Sequence, residues 1–326
     1  MCEAFEKDAI QRCLALELVR VTERAAVAAA RLRGFGDEMA ADQAAVDAMR
    51  AELGKLAIAG RVVIGEGERE AAPMLYIGEE VGAGRGPQVD LAVAPLEGST
   101  LCAKDIGGAI SIVAVAKPGA LLHAPDVYMD KIAIGPGYEP GIVDLDREPS
   151  VNIAALAKAK GVGAAGVTVC ILDRPRHAGL IAKCREAGAC VRLIGDGDVA
   201  AIILAAQAEA TGVDMYLGRG GAPEGVLAAA VLRCVGGQMQ ARLALESRES
   251  VARAAEMGID DPRRKYELAE LAKSDVIVCA TGVTTGPLLA GPVFGRGRIE
   301  TETLVYRSAS GTVRRIRAEH RAAKFD

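Results

Sequence analysis

The acidic residues of this chain collect beside glycines, where backbone amides are free and side chains project into crevices. Gly65-Glu66-Gly67-Glu68-Arg69-Glu70 places three carboxylates within five residues, directly after the apolar run Arg61–Ile64. Hard divalent cations need several oxygen ligands brought together, and such a loop supplies them; taken singly it also reads as a solvated acidic turn. In Val89–Thr100 a β-rich run enters a proline turn and delivers Glu97 beside Gly98, Ser99 and Thr100. A carboxylate next to hydroxyls at a strand-to-helix junction suits a metal and a phosphate together, with the free N–H groups of the new helix toward the anion. An ordinary capped helix start is the plainer alternative.

In the second half, Asp173-Arg174-Pro175-Arg176-His177, Asp196-Gly197-Asp198 and Gly218-Arg219-Gly220-Gly221-Ala222-Pro223-Glu224-Gly225 each follow a short apolar run. If these runs are parallel neighbouring strands, the loops emerge together at the carboxyl edge of one sheet, the binding edge of α/β folds. Arginines suit phosphate through paired donors, and aspartates suit sugar hydroxyls. Each loop alone reads as a solvated turn; three in succession favour a site.

The elements that must position these groups follow from periodicity. Two helices are expected first: Ile10–Leu32, stopped by Gly34-Phe35-Gly36, and a second beginning near Asp42 at an N-cap position and ending at Gly60. β-rich runs follow at 61–64, 89–93 and 109–116, with a hairpin expected at Lys117–Ala120 leading into Leu121-Leu122-His123. Beyond residue 160 the runs 167–172, 190–194 and 215–217 alternate with helical patterns, as parallel βαβ units do. Asp275–Ala280 reads as a further strand, and Glu302–Arg307 with Thr312–Arg317 as a closing β pair. The expected class is α/β (α+β), with one domain over residues 1–160 and a second over 161–326.

Composition narrows the chemistry. At 326 residues the chain has ample material for two cores, and a net charge of −4 argues against a general nucleic-acid binder. No apolar run approaches the ~20 residues of a membrane span, and the acidic start Met1–Asp8 lacks a signal-peptide pattern, so a cytoplasmic protein is expected. Only 3 histidines occur, which turns attention to carboxylates. The 8 cysteines form no Cys-x-x-Cys pair and read as reduced, mostly buried thiols. A dinucleotide-binding oxidoreductase is disfavoured, because Gly65-x-Gly67 lacks the third glycine and its acidic spacer would repel a pyrophosphate.

Val63–Glu68, Ala72–Glu79, Asp126–Lys131, Arg174–His177, Asp196–Ala200 and Gly220–Gly225 together resemble class II fructose-1,6-bisphosphatases, over about Leu18 to Arg317. Within that family the chain is similar to bacterial forms, some of which also accept sedoheptulose 1,7-bisphosphate. The resemblance implies a metal-dependent sugar phosphatase of the lithium-sensitive superfamily. It also implies a layered αβαβα sandwich with two subdomains, each built on a central sheet. Carried over by residue, it implies metal ligation by Asp42, Glu66, Glu97 and Glu224. Substrate contact is implied for Glu97, Gly98, Ser99, Tyr128, Arg174, Pro175, Arg176, Asp196, Gly197, Asp198 and Gly221. Mn²⁺ or Mg²⁺ suits this all-oxygen set better than zinc. Glu66 and Glu70 are the expected groups to orient or deprotonate water, with Ser99 and Thr100 positioning the departing phosphate. A homo-oligomer, dimer or tetramer, is expected by analogy alone.

The sequence departs from the family pattern at a sensitive point. The family motif Asp-Pro-x-Glu-Gly-Thr is here Ala94-Pro95-Leu96-Glu97-Gly98-Ser99, so a metal-ligating Asp has become Ala94. Glu70 stands where Asp is usual, and Arg219 replaces an apolar residue between glycines. The expected activity is hydrolysis of the 1-phosphate of fructose 1,6-bisphosphate. The alternative is a weakened or inactive paralogue that binds sugar phosphates.

Overall fold

The computed structural model describes residues 14–67 and 74–325. Residues 10–13 of the first expected helix and Glu68, Arg69 and Glu70 of the acidic loop lie outside the described residues. The chain begins with helices α1 (Leu14–Ala30) and α2 (Glu38–Leu53). Strands β1 (Ala59–Ile64), β2 (Glu80–Val81) and β3 (Gln88–Glu97), the short helix α3 (Ser99–Ala103) and β4 (Ile110–Ala116) follow. Next come β5 (Tyr128–Ile134), α4 (Pro149–Lys160), β6 (Thr168–Leu172), α5 (Ala178–Glu186), β7 (Cys190–Ile194) and α6 (Asp198–Ala206). β8 (Met215–Gly221), α7 (Ala222–Val235), β9 (Gln238–Leu243), α8 (Arg248–Glu256) and β10 (Lys265–Glu267) complete that stretch. The chain ends with β11 (Val276–Gly282), β12 (Val293–Gly295), β13 (Arg298–Arg307) and β14 (Thr312–Arg321).

Two compact units result, Met1–Leu122 with Ser274–Asp326, and His123–Lys273. This differs from the expected contiguous split at residue 160, and strand pairing is the reason. β11 lies between β4 and β13 and bonds antiparallel to both, which draws the C-terminal strands into the first unit's sheet. That sheet runs β12-β13-β11-β4-β3-β1-β2, with β14 on the other edge of β13. The second unit's sheet runs β10-β9-β5-β8-β6-β7. Both sheets mix parallel and antiparallel pairs, so the class is α/β in its α+β form. Among the described residues no helix is long and apolar enough to cross a membrane.

In the first unit, α1 and α2 bury Ala, Val, Leu and Met faces against β1, β3, β4 and β11. The helix expected to start near Asp42 starts earlier: Asp37 has extended backbone and accepts the Ala40 N–H, so Asp37 is the N-cap and Asp42 lies inside α2. The helix also stops at Gly54, before the expected Gly60, which belongs to β1. The hairpin expected after β4 does not form. The Gly119 N–H donates instead to Asp90 at 2.6 Å, and Leu121–His123 is no strand beyond an isolated bridge.

In the second unit, β6 pairs parallel with β7 and β8, as strand–helix alternation predicts, while β5 and β9 run antiparallel beside them. Alternation along each strand gives the sheet two covered faces. Ile132, Ile134, Met215 and Leu217 meet Ile153 and Leu156 of α4 and Ile181 of α5. On the other face α6 and α7 pack against each other and against β5 and β8.

Candidate active site

The first unit places Glu66 just after β1, and Glu97, Gly98, Ser99 and Thr100 at and beyond the end of β3. Glu66 follows β1 in a bend held close to Leu75: its N–H donates to the Leu75 carbonyl at 3.0 Å. A Cβ on Gly65 would lie 2.0 Å from that same oxygen, so only glycine permits the approach. Glu97 ends β3 and is buried, 7% exposed. Between the register pairs Ala94–Ile112 and Glu97–Ile110, β3 carries one more residue than β4, a bulge that accommodates Pro95. Gly98 then turns the chain with φ +86, and Ser99 and Thr100 open α3. That helix has only 5 residues, shorter than the anion-binding start expected from sequence. The Thr100 hydroxyl donates to Glu38 at 3.0 Å, linking the starts of α2 and α3. Asp42 projects from α2, and burial pushes its carboxyl above the ordinary range.

The second unit brings together a larger set at the carboxyl ends of β6, β7 and β8. The Asp173 N–H bonds the Ile194 carbonyl at 2.8 Å, tying the loop after β6 to the end of β7. Arg174 lies 3.6 Å from Asp196. Pro175 begins the single 3₁₀ turn Pro175–His177 that aims both arginines. The Arg176 guanidinium stacks over the exposed Tyr128 ring, 4.7 Å from its centroid, and donates to the Arg219 carbonyl at 3.0 Å. Gly197 turns the chain with φ +80 into α6, whose first residue, Asp198, is buried. Gly221 is the N-cap of α7, and Glu224 sits in its first turn. Burial, reinforced by the charge of Asp198, pushes the Glu224 carboxyl up to about 7.

Two side chains that sequence reasoning passed over organise this edge. His177 is buried between elements: its Nδ1 faces the Leu172 carbonyl at 2.8 Å and its Nε2 accepts the Arg219 N–H at 2.9 Å. The bonding pattern fixes a neutral imidazole protonated on Nδ1, and burial holds its pKa below the usual value. Lys131, on β5, is fully buried and meets Asp198. Its strand pattern, with Met129 and Ala133 on the same face, was the available signal. Arg219 forks onto Asp130 at 2.7 and 3.0 Å and also reaches Glu246. With Arg176, His177, Leu180 and Leu217 it lines a cavity of about 420 Å³.

Residues 12–320 match the profile of the family described as bacterial fructose-1,6-bisphosphatase, glpX-encoded. The chain belongs to that family. It is 43% identical over 332 residues to a Synechococcus sp. (strain JA-3-3Ab) protein named D-fructose 1,6-bisphosphatase class 2/sedoheptulose 1,7-bisphosphatase, covering 94% of this chain and 95% of the relative. A protein of the same name from Synechococcus sp. (strain RCC307) is 43% identical over 319 residues, with the same two coverages. Class 2 fructose-1,6-bisphosphatases are metal-dependent phosphatases, and the donor chemistry here fits a hard divalent cation. Asp42, Glu66 and Glu97 in the first unit and Glu224 in the second are all oxygen donors, and burial disfavours the charged forms of Asp42 and Glu224. Among the described residues no three His, Cys, Asp or Glu side chains gather closely enough to hold a metal together.

Proposed function

We propose that this chain hydrolyses the 1-phosphate of fructose 1,6-bisphosphate to fructose 6-phosphate and phosphate, and acts on sedoheptulose 1,7-bisphosphate as the names of its relatives suggest. One observation carries the reading: Arg174, Arg176, Asp196, Asp198 and Glu224 lie at the carboxyl ends of three neighbouring parallel strands. Arg174 and Arg176 bind the distal phosphate, with the Arg176 guanidinium held flat by Tyr128. Asp196 and Asp198, with the Gly197 and Gly221 backbone, bind sugar hydroxyls. Asp42, Glu66 and Glu97 of the first unit and Glu224 of the second would be ligands of Mn²⁺ or Mg²⁺, which when bound would activate water and offset phosphoryl charge. Glu66 and Glu70 orient the water and take its proton, while Gly98, Ser99 and Thr100 position the departing phosphate. A cytoplasmic location accords with a phosphorylated substrate, and a homo-oligomer, dimer or tetramer, is proposed by family analogy alone.

Ala94 favours a second reading, a weakened sugar-phosphate binder. Its methyl group occupies a half-buried position just before the β3 bulge and cannot coordinate a cation. Phosphate release from fructose 1,6-bisphosphate, titrated with Mn²⁺ and Mg²⁺ before and after Ala94→Asp, tests both. The phosphatase reading expects release from the natural chain and a gain of about tenfold in apparent metal affinity on adding the carboxylate, roughly 1.4 kcal/mol. No release from either protein at any metal concentration would sink it.

A further inference from the structure

Lys131 is a long cationic side chain with no solvent exposure, deep in a sheet whose neighbouring inward residues are apolar. A buried ammonium persists only where it is paired and its protons are bonded. Here Nζ donates to Asp198 Oδ2 and, at 2.6 Å, to the Gly221 carbonyl. Asp198 opens α6 after β7, and Gly221 ends β8 and caps α7. One ammonium thus ties together two of the three loops assigned to substrate.

The space around it is made by missing side chains. A Cβ on Gly220 would lie 1.8 Å from Asp198 Oδ2 and 3.2 Å from Lys131 Nζ, and one on Gly225 would meet the Lys131 stem at 3.4 Å. A Cβ on Gly221 would lie 1.8 Å from Glu224 Oε2, so the carboxylate rests on the same backbone that Lys131 bonds. The Tyr216 hydroxyl, 3.5 Å from Asp198 Oδ2, is a weak second partner. Without the ammonium, Asp198 would be a buried carboxylate with little to hold its rotamer. We propose that Lys131 is a positioning residue for sugar-phosphate hydrolysis: it fixes Asp198 in its substrate-binding geometry and touches no substrate itself. This rests on the function proposed above.

The test compares Lys131→Met, Asp198→Asn and the double variant for kcat and KM with fructose 1,6-bisphosphate, alongside melting temperatures. Lys131→Met should lower kcat/KM by about 30-fold or more, whereas in the Asp198→Asn background the same change should cost less than about threefold. The double variant removes the ammonium and its carboxylate partner together, leaving neither of them unpaired, and should melt close to the natural protein. A structural role alone would move melting temperature without this non-additivity. Losses that multiply in the double variant, or a folded Lys131→Met with kcat/KM within about threefold of the natural protein, would overturn the proposal. Should Lys131→Met not fold, the ratio between Asp198→Asn and the double variant decides alone. A natural protein inactive on the substrate would refute the functional reading instead, before any variant is compared.

Discussion

His177 should make the second unit acid-sensitive, and removing it should both weaken the fold and blunt that sensitivity. Its ring is buried, with Nδ1 at 2.8 Å from the Leu172 carbonyl and Nε2 at 2.9 Å from the Arg219 amide. His177→Ala leaves the Arg219 amide without its partner, at about 1–3 kcal/mol, and forfeits the ring's packing against Gly218, while the Leu172 carbonyl keeps the Arg174 N–H at 2.9 Å. A total loss of about 2–4 kcal/mol follows at neutral pH. Burial, with the charges of Arg176 and Arg219, keeps the folded pKa below the unfolded value of 6.5, against the Leu172 carbonyl, which favours the protonated ring. The unfolded chain therefore binds the proton first as pH falls. The stabilisation is complete above pH 6.5 and is lost as pH drops through the depressed folded pKa.

The assay is urea unfolding followed by circular dichroism at pH 7.5 and pH 5, since the chain has no Trp to report by fluorescence. The stability gap between the natural protein and His177→Ala should be widest at pH 7.5 and narrow toward pH 5. A loss below about 1 kcal/mol, or a gap that does not change with pH, would refute the reasoning. Because the Arg219 backbone that His177 holds also accepts from Arg176, KM for the sugar bisphosphate should rise in the same variant.

Arg176→Lys should raise KM with a smaller effect on kcat, since an ammonium cannot lie flat on Tyr128 while reaching the Arg219 carbonyl; steady-state kinetics on the bisphosphate check this, and an unchanged KM would count against the stacked arginine. Among the six described cysteines only Cys190 is exposed, while burial pushes Cys102 and Cys184 up to about 11 and Cys170 to about 12. Alkylation mapped by mass spectrometry should therefore label Cys190 first among these six, and those three only on unfolding.

The strand–helix alternation of the second unit was legible because each apolar run is short and bounded by glycine or proline, and the loops it ends in proved to be neighbours. Local signals misled where two residues carried the same one. Asp37 and Asp42 both precede apolar helical positions, and the chain caps at the former because there the backbone is extended and the Ala40 amide is within reach. Gly60 reads as a helix stop, yet it lies in β1 because any Cβ would strike Leu91 at 2.6 Å, a contact made across the sheet. Met129 and Ala133 on the same strand face signal that Lys131 is buried, but its partner Asp198 lies 67 positions away and no local pattern announces it. The domain division was hidden for the same reason: β11 and β4 are far apart in sequence and adjacent in the sheet.

What unites the expected site residues is how their carboxylates are delivered. Glu97, Asp198 and Glu224 each stand where a strand or its loop gives way to a helix across a glycine, but the glycines act differently. Gly98 and Gly197 adopt φ of +86 and +80, a conformation that reverses the chain and that other residues enter only with strain. Gly221 has ordinary backbone and is needed for its missing side chain, because the Glu224 carboxylate occupies the space a Cβ would take. The position of each acid is therefore set by backbone and by absence, with the side chain supplying only the final reach. That logic bears on Ala94. Pro95, Glu97 and Gly98 form the bulge and the turn at β3's end, the backbone on which the proposed reading would place a carboxylate at 94. On that reading a difference confined to one side chain is the kind that a single Ala94→Asp change can reverse.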